Sequence, residues 1–155
     1  MQTCIEMRVE ADWRSVFALA ADVQDWPRIL PHYRWVRIMK HISDTERLVD
    51  MAAWRGVLGP LRIPLHWTSI QRVLPEVGVI EFQHVKGISR GMRVEWRIEA
   101  AGSGTLVRLQ HVFAPAWPLP EWLVQTVVGE YFVNGVARRT LRRLAELAEF
   151  RKIGP

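Results

Sequence analysis

Apolar and charged side chains alternate strictly over residues 92–100, written MRVEWRIEA. An alternation with period two is typical of a β-strand that buries one face and exposes the other. The same kind of pattern recurs along most of the chain, with short turn sequences between its copies. The predicted strands are 3–10, 33–42, 46–54, 65–73, 79–85, 92–100 and 105–113.

Helical spacing appears between the first two strands. Asp12 can cap a helix start, and Val16 and Phe17 follow it at helical spacing. A second, short helix is predicted in the sequence DWPRILP, with Pro27 in its first turn and Pro31 closing it. Two short helices are therefore expected after the first strand.

A long final helix is predicted from about Pro120 to Arg151, with its apolar residues mostly along one side. Residues 57–64, which contain three Gly or Pro positions, are predicted to form a loop or an interrupted edge strand. The order of elements predicts an α+β fold in one domain spanning 1–155. Antiparallel strands would form a curved sheet that one long helix covers, and apolar pockets often form in such gaps.

The overall composition is that of a globular protein, with 49% hydrophobic and 24% charged residues. No apolar run reaches the ~18–20 residues of a membrane helix, and the first residues lack the layout of a signal peptide. The single cysteine, Cys4, cannot form an internal disulfide, which fits a reducing compartment. A cytoplasmic location is expected, with the inner membrane face as an alternative.

The net charge is +5 and the isoelectric point is about 10.1. Such a basic surface favours acidic partners, although it can also simply be a solvated surface. The arginines are scattered without an aromatic-plus-basic RNA motif, so nucleic-acid binding is not expected. No phosphate-cradling loop, dinucleotide fingerprint or metal-binding His/Cys pattern is present, so neither a cofactor nor a metal is expected.

Eight tryptophans are an unusual number for 155 residues. They suggest an aromatic-lined cavity, a membrane-facing edge, or both. Three prolines stiffen the stretch HVFAPAWPLPEWLVQ, which holds Trp117 and Trp122. These two rings are predicted at the rim of the cavity, as a lid or as a membrane contact, or else packed on the base of the helix.

Two stretches carry a resemblance to a known superfamily. The sequences VFALAADVQDWPRILPHY and MRVEWRIEAAGSGTLVRLQHVF resemble the START/Bet v 1-like (SRPBCC) superfamily, and the chain looks nearest to its polyketide cyclase/dehydrase and coenzyme-Q-binding groups. The resemblance spans essentially the whole chain. It implies a helix-grip fold, in which a curved antiparallel sheet wraps around a long C-terminal helix.

The resemblance also implies pocket residues. Trp26 and Tyr33 match a tryptophan and a tyrosine that aromatase/cyclase pockets use, and Trp96 matches a pocket tryptophan on the penultimate strand. The Trp-x-Ser-x-Arg pattern of those pockets corresponds to WTSIQR, which supplies Trp67 and Ser69. Its arginine, Arg72, comes one residue late, which would turn it to the other face of a regular strand.

Strand alternation adds candidates independently of the resemblance. His111 shares an apolar face with Leu109, and there a neutral imidazole could act as general acid or base, or be a core histidine bonded to a neighbour. Phe82 and His84 share a face in the same way. For Tyr33, alternation leaves open whether its face of the strand is the inner or the outer one.

The candidate catalytic residues are His111, Tyr33 and Arg72. The candidate ligand-binding residues are Trp26, Tyr33, Trp67, Ser69, Phe82, His84, Trp96, Leu109, His111, Trp117, Trp122 and Tyr131. The expected function is binding or transport of a hydrophobic small molecule, such as a polyketide, a quinone or a lipid. The alternative is an aromatase/cyclase or dehydratase acting on a carrier-bound poly-β-keto chain. An acyl carrier protein and peripheral membrane contact are the candidate partners.

Overall fold

Seven antiparallel strands form a single sheet in the computed structural model, which describes residues 1–56, 60–115 and 118–153. The strands are β1 Gln2–Val9, β2 Tyr33–His41, β3 Glu46–Gly56, β4 Arg62–Leu74, β5 Val79–Gly87, β6 Met92–Ala101 and β7 Gly104–Phe113. Their order across the sheet is β1-β7-β6-β5-β4-β3-β2, so β1 and β2 are the edge strands. The predicted curved sheet is confirmed.

Two short helices follow β1, as predicted. Helix α1 spans Trp13–Ala21, and α2 spans Trp26–Ile29 after a 3₁₀ turn at Val23–Asp25. The Asp12 carboxylate accepts a hydrogen bond of 3.1 Å from the backbone N–H of Arg14, so this residue caps α1.

The C-terminal helix is continuous but not uniformly α-helical. It consists of α3 Glu121–Gln125, a π-helical segment Thr126–Ala137 and α4 Arg138–Ile153. The long helix is therefore confirmed, whereas the π-helical segment was not predicted. Helices of this kind are rare, usually a single turn long, and frequent at functional sites. Within the described ranges, no helix combines the length and apolar character needed to cross a bilayer.

Strand β4 begins earlier than its sequence predicts. Residues 57–64 were expected to form a loop or an interrupted edge strand; residues 62–64 belong to the strand, while residues 57–59 lie outside the described part of the chain. Pro64 is tolerated because the cross-strand pairs of β4 with β5 start only at Trp67. The strand is locally an edge there, where a residue without an N–H fits.

The inner face of the sheet, which we define as the face toward the C-terminal helix, carries the core. An irregularity in β2 between Tyr33 and Trp35 decides which side chains reach it. The extra residue reverses the alternation, so that Tyr33 points inward while Trp35 points to the outer face. This bulge answers the question that regular alternation left open.

Candidate functional site

A cavity of about 50 Å³ lies between the inner face of the sheet and the C-terminal helix. Its walls come from α2, from the six strands β2 to β7 and from the helical segment 132–140. The lining residues are Trp26, Tyr33, Met51, Trp67, Phe82, His84, Val94, Trp96, Leu109, His111, Phe132, Val136, Ala137 and Thr140. None of these side chains is a carboxylate, a lysine or an arginine, so the wall of the cavity carries no formal charge at neutral pH.

Aromatic rings in mutual contact form most of the wall. The ring centroid of Trp26 lies 5.2 Å from that of Tyr33 and 6.2 Å from that of Trp96. The indole N–H of Trp26 donates a 3.1 Å hydrogen bond to the carbonyl of Leu19, which fixes the orientation of its ring. Edge-on and tilted contacts of this kind stabilise a rigid aromatic wall.

His84 is held against this wall by a neighbouring ring and a hydroxyl. Its imidazole stacks on Trp67 at 5.8 Å and 9°, and its Nδ1 lies 2.6 Å from the hydroxyl of Ser89. Burial, reinforced by nearby His111, lowers the pKa of His84 from 6.5 to about 3. The imidazole is therefore neutral at physiological pH.

His111 differs from His84 at the Nδ1 atom, which lacks a partner in His111. Its Nδ1 is buried and has no hydrogen-bond partner among the described residues. Burial lowers the pKa of His111 from 6.5 to about 4, so this imidazole is also neutral. A buried polar atom that lacks a partner in the protein is suited to bind a polar group of a ligand.

A chain of hydrogen-bonding groups connects the cavity to the region beside α4. The Thr140 hydroxyl bonds the phenol of Tyr33 and lies 3.0 Å from Nε2 of His32. Burial raises the pKa of Tyr33, a shift that the Thr140 bond partly offsets. Burial, together with the charge of Arg139, lowers the pKa of His32 from 6.5 to about 4. The phenol therefore stays protonated at neutral pH.

Most of the predicted ligand-binding residues meet in this cavity. Those that line it are Trp26, Tyr33, Trp67, Phe82, His84, Trp96, Leu109 and His111. Their roles in binding and catalysis stay predictions, since the structure shows their placement only.

Arg72 is a correction. Its side chain points to the outer face of the sheet, where its guanidinium lies 3.3 Å from Glu46 and 3.7 Å from Glu81. The strand alternation that brings Trp67 inward turns Arg72 outward. The expectation that Arg72 assists chemistry in the cavity is therefore wrong.

Two other predicted residues, Ser69 and Trp122, do not line the cavity. Ser69 is fully buried on the inner face but does not line it. Trp122 is 67% exposed and does not line the cavity. Trp117 and the side chain of Tyr131 lie outside the described residues.

Sequence reasoning missed three residues of the C-terminal helix that line the cavity, one of which is polar. Phe132, Val136 and Thr140 follow one another at intervals of four residues and all line the cavity. The interval itself is visible in the sequence, but it marks a helix face without saying that the face borders a cavity. His32 was missed because it contacts Thr140 and does not itself line the cavity.

A curved sheet that grips a long helix, with a ring-lined cavity between them, defines a helix-grip fold. The chain belongs to the family described as polyketide cyclase/dehydrase and lipid transport, whose model matches residues 9–142. The expected superfamily is thereby confirmed.

Individual relatives agree with this assignment. The bifunctional cyclase/dehydratase of the actinorhodin polyketide synthase of Streptomyces coelicolor is 28% identical over 110 residues, which cover 70% of this chain and 33% of that relative. The match thus spans about a third of the relative's length.

Solved structures share the fold. The Zhui aromatase/cyclase from Streptomyces sp. R1128 superposes with a TM-score of 0.78 at 21% identity, covering 97% of this chain and 94% of that one. A START superfamily protein from Mycobacterium smegmatis gives a TM-score of 0.67 at 15% identity, covering 94% and 98%. At these identities the likeness concerns the fold alone.

Proposed function

We propose that this protein binds a ring-containing hydrophobic molecule, such as a polyketide or a quinone, in the inner cavity and acts mainly as a binding or transport protein. A lipid chain is the remaining ligand class. The observation that carries the proposal is the composition of the wall, which is aromatic and apolar apart from two neutral imidazoles, a phenol and a hydroxyl. Such a wall removes apolar surface from water and offers a few hydrogen bonds that orient a neutral polar group.

The cavity has to enlarge to take such a ligand. Its volume of about 50 Å³ is well below the roughly 300–1,000 Å³ of ordinary ligand pockets. The ring of Phe132, on the π-helical segment, lies 5.1 Å from Trp67 and 5.3 Å from His84. We propose that this ring fills the space that a ligand occupies, and that movement of the π-helical segment opens it.

The first test is to identify what the protein carries. Native mass spectrometry of freshly purified protein, followed by solvent extraction, should reveal a bound polyketide, quinone or lipid. A purified protein that is empty, and that also fails to bind neutral bicyclic compounds such as 2-naphthol, would contradict the proposal.

Removing the Phe132 ring tests how the cavity opens. We expect Phe132→Ala to bind 2-naphthol at least about tenfold more tightly than the unaltered protein, because the space is already vacant. Phe17→Ala is the matched control, since Phe17 is buried in the core but does not line the cavity. Equal affinities for the two variants would refute the role of Phe132.

The alternative function is that of an aromatase/cyclase or dehydratase acting on a carrier-bound poly-β-keto chain. It is favoured by the unpaired Nδ1 of His111, a neutral base that faces the cavity. In that case His111 would remove a proton next to a ketone while the Tyr33 phenol bonds the developing enolate oxygen. His111→Ala should then abolish turnover of a poly-β-keto substrate but preserve 2-naphthol binding. His66→Ala, on the outer face, is the control.

Two partners complete the proposal for a single-domain cytoplasmic protein. An acidic acyl carrier protein would deliver or receive the ligand, supported by the net charge of +5. Brief contact with the inner membrane face through exposed Trp122 is the second candidate. Sedimentation with anionic vesicles, compared between the unaltered protein and Trp122→Ala, tests the membrane contact directly.

A further inference from the structure

Two tryptophans that the cavity does not use lie on the outer face of the sheet, stacked with arginines. The guanidinium carbon of Arg34 lies 4.7 Å from the ring centroid of Trp35 and 4.4 Å from that of Trp54. The guanidinium carbon of Arg37 lies 5.1 Å from the ring of Trp35. We call these four residues the arginine–tryptophan ladder.

Stacking fixes the two guanidinium groups without neutralising them. An arginine that stacks on an indole through its flat face still has its N–H edges free to bind oxyanions. Both arginines are exposed, and neither forms an ion pair with a carboxylate of the described residues. Asp50 lies opposite Arg37 in the strand register, but its carboxylate contacts His66 at 2.7 Å and Thr68 at 3.0 Å instead.

Three arginines on the other strands of the outer face form ion pairs with carboxylates. Arg72 pairs with Glu46, Arg97 pairs with Glu95 at 2.9 Å, and Arg108 pairs with Glu6 at 2.7 Å. That part of the face therefore alternates in charge, and it would repel as much as attract a broad polyanion. Arg93 on β6 is also exposed without an ion pair among the described residues. Arg34 and Arg37 differ from it because each also lies over an indole ring, and both belong to the edge strand β2.

We propose that the arginine–tryptophan ladder is the docking site for the acidic helical surface of an acyl carrier protein. The inference rests on the carrier partner of the proposed function. A compact helix with a row of carboxylates matches a narrow strip of free guanidinium groups, whereas a membrane or a duplex would also meet the glutamates beyond it. A second copy of this chain would bring like charges together. Tryptophan and arginine are also the residues that most often dominate binding at interfaces.

The test is a titration with a holo acyl carrier protein of a polyketide synthase, followed by calorimetry at low salt. The double variant Arg34→Ala/Arg37→Ala should bind at least about tenfold more weakly than the unaltered protein. Arg97→Ala/Arg108→Ala is the charge-matched control from the same face and should change the affinity less than about twofold. Arg34→Lys/Arg37→Lys should fail to restore binding fully, because lysine retains the charge without the flat fork.

Equal losses in the ladder and control variants would overturn the inference, since net charge alone would then explain binding. So would tighter binding of the unaltered protein to phosphatidylglycerol vesicles than to the carrier, or self-association that depends on the ladder. Binding of 2-naphthol, measured on the same variants, reports the cavity separately. A carrier that never binds would therefore refute the docking site while leaving the ligand-binding proposal intact.

Discussion

Neighbouring residues of strand β4 lie in two different environments, one on each face of the sheet. Trp67 is 3% exposed and contacts Tyr33, His84 and Phe132, whereas His66 points outward and lies 2.7 Å from the Asp50 carboxylate. The inner face of the sheet carries aromatic rings and neutral polar groups, while the outer face carries charged groups. The comparison teaches that residue type alone does not assign a role in this protein, because tryptophan and histidine occur on both faces.

The largest difference between the two faces of the sheet should appear when one tryptophan on each face is truncated to alanine. Trp67→Ala should lower the free energy of unfolding by about 3–5 kcal/mol, because it removes a buried ring and leaves a void. Trp54→Ala should cost less than half as much, since Trp54 is partly exposed and stacks on an arginine. Urea denaturation measures both values, and equal losses would contradict the distinction between the walls.

The second-largest effect is expected from acid, which should destabilise the inner face of the sheet. The pKa of His84 falls from 6.5 to about 3 on folding, and that of His111 falls from 6.5 to about 4. Between pH 6.5 and 4 the unfolded chain binds more protons than the folded protein, so the free energy of unfolding decreases as the pH falls. At pH 5 the free energy of unfolding should be lower by about 2 kcal/mol for each histidine. Above pH 6.5 this loss should disappear, because the histidines are then mostly neutral in both states.

Denaturation curves at several pH values test this expectation. His111→Phe should remove about a third of the decline, because His32, whose pKa also falls to about 4, contributes together with His84. Phenylalanine cannot take up a proton in either state. A free energy of unfolding that stays constant from pH 7 to pH 4.5 would contradict the buried, neutral state of the two imidazoles.

A smaller effect is expected for the hydroxyl behind the cavity. Thr140→Val should cost about 1–3 kcal/mol, because it leaves Nε2 of His32 and the Tyr33 phenol without their partner. Thr126→Val, which removes a hydroxyl bonded to the Trp122 carbonyl on a more exposed part of the helix, should cost less than about 1 kcal/mol. Equal costs would show that Thr140 does not organise the site.

The smallest effect on stability is expected for a substitution on the outer face of the sheet. Arg34→Ala should lower the free energy of unfolding by only about 0.5–1 kcal/mol, as expected for an exposed cation–π contact. A loss above about 2 kcal/mol would mean that the ladder stabilises the fold, and would weaken its assignment as a docking surface.

Regular alternation predicted a large part of this structure from the sequence. It placed Trp96 and His111 on the inner face because β6 and β7 pair in unbroken register. The seven strands, the cap at Asp12 and the gripping helix followed from the same local rules.

Irregular backbone set the limit of that prediction. The bulge after Tyr33 separates it from Trp35 by face, although regular alternation would place the two together. The π-helical segment that carries Phe132 and the link from Thr140 to His32 depend on tertiary packing, so no local pattern could reveal them. The small size of the cavity was invisible for the same reason.

The most direct test of the account is a two-dimensional ¹H–¹⁵N spectrum of the indole N–H groups during a titration with 2-naphthol. Once the signals are assigned by Trp→Phe substitutions, Trp26, Trp67 and Trp96 report from the inner face of the sheet, and Trp35 and Trp54 report from the outer face. We predict that the signals of Trp26, Trp67 and Trp96 shift with ligand, while those of Trp35 and Trp54 stay in place. Shifts of the outer signals with the inner ones unchanged would contradict a ligand site between the sheet and the C-terminal helix.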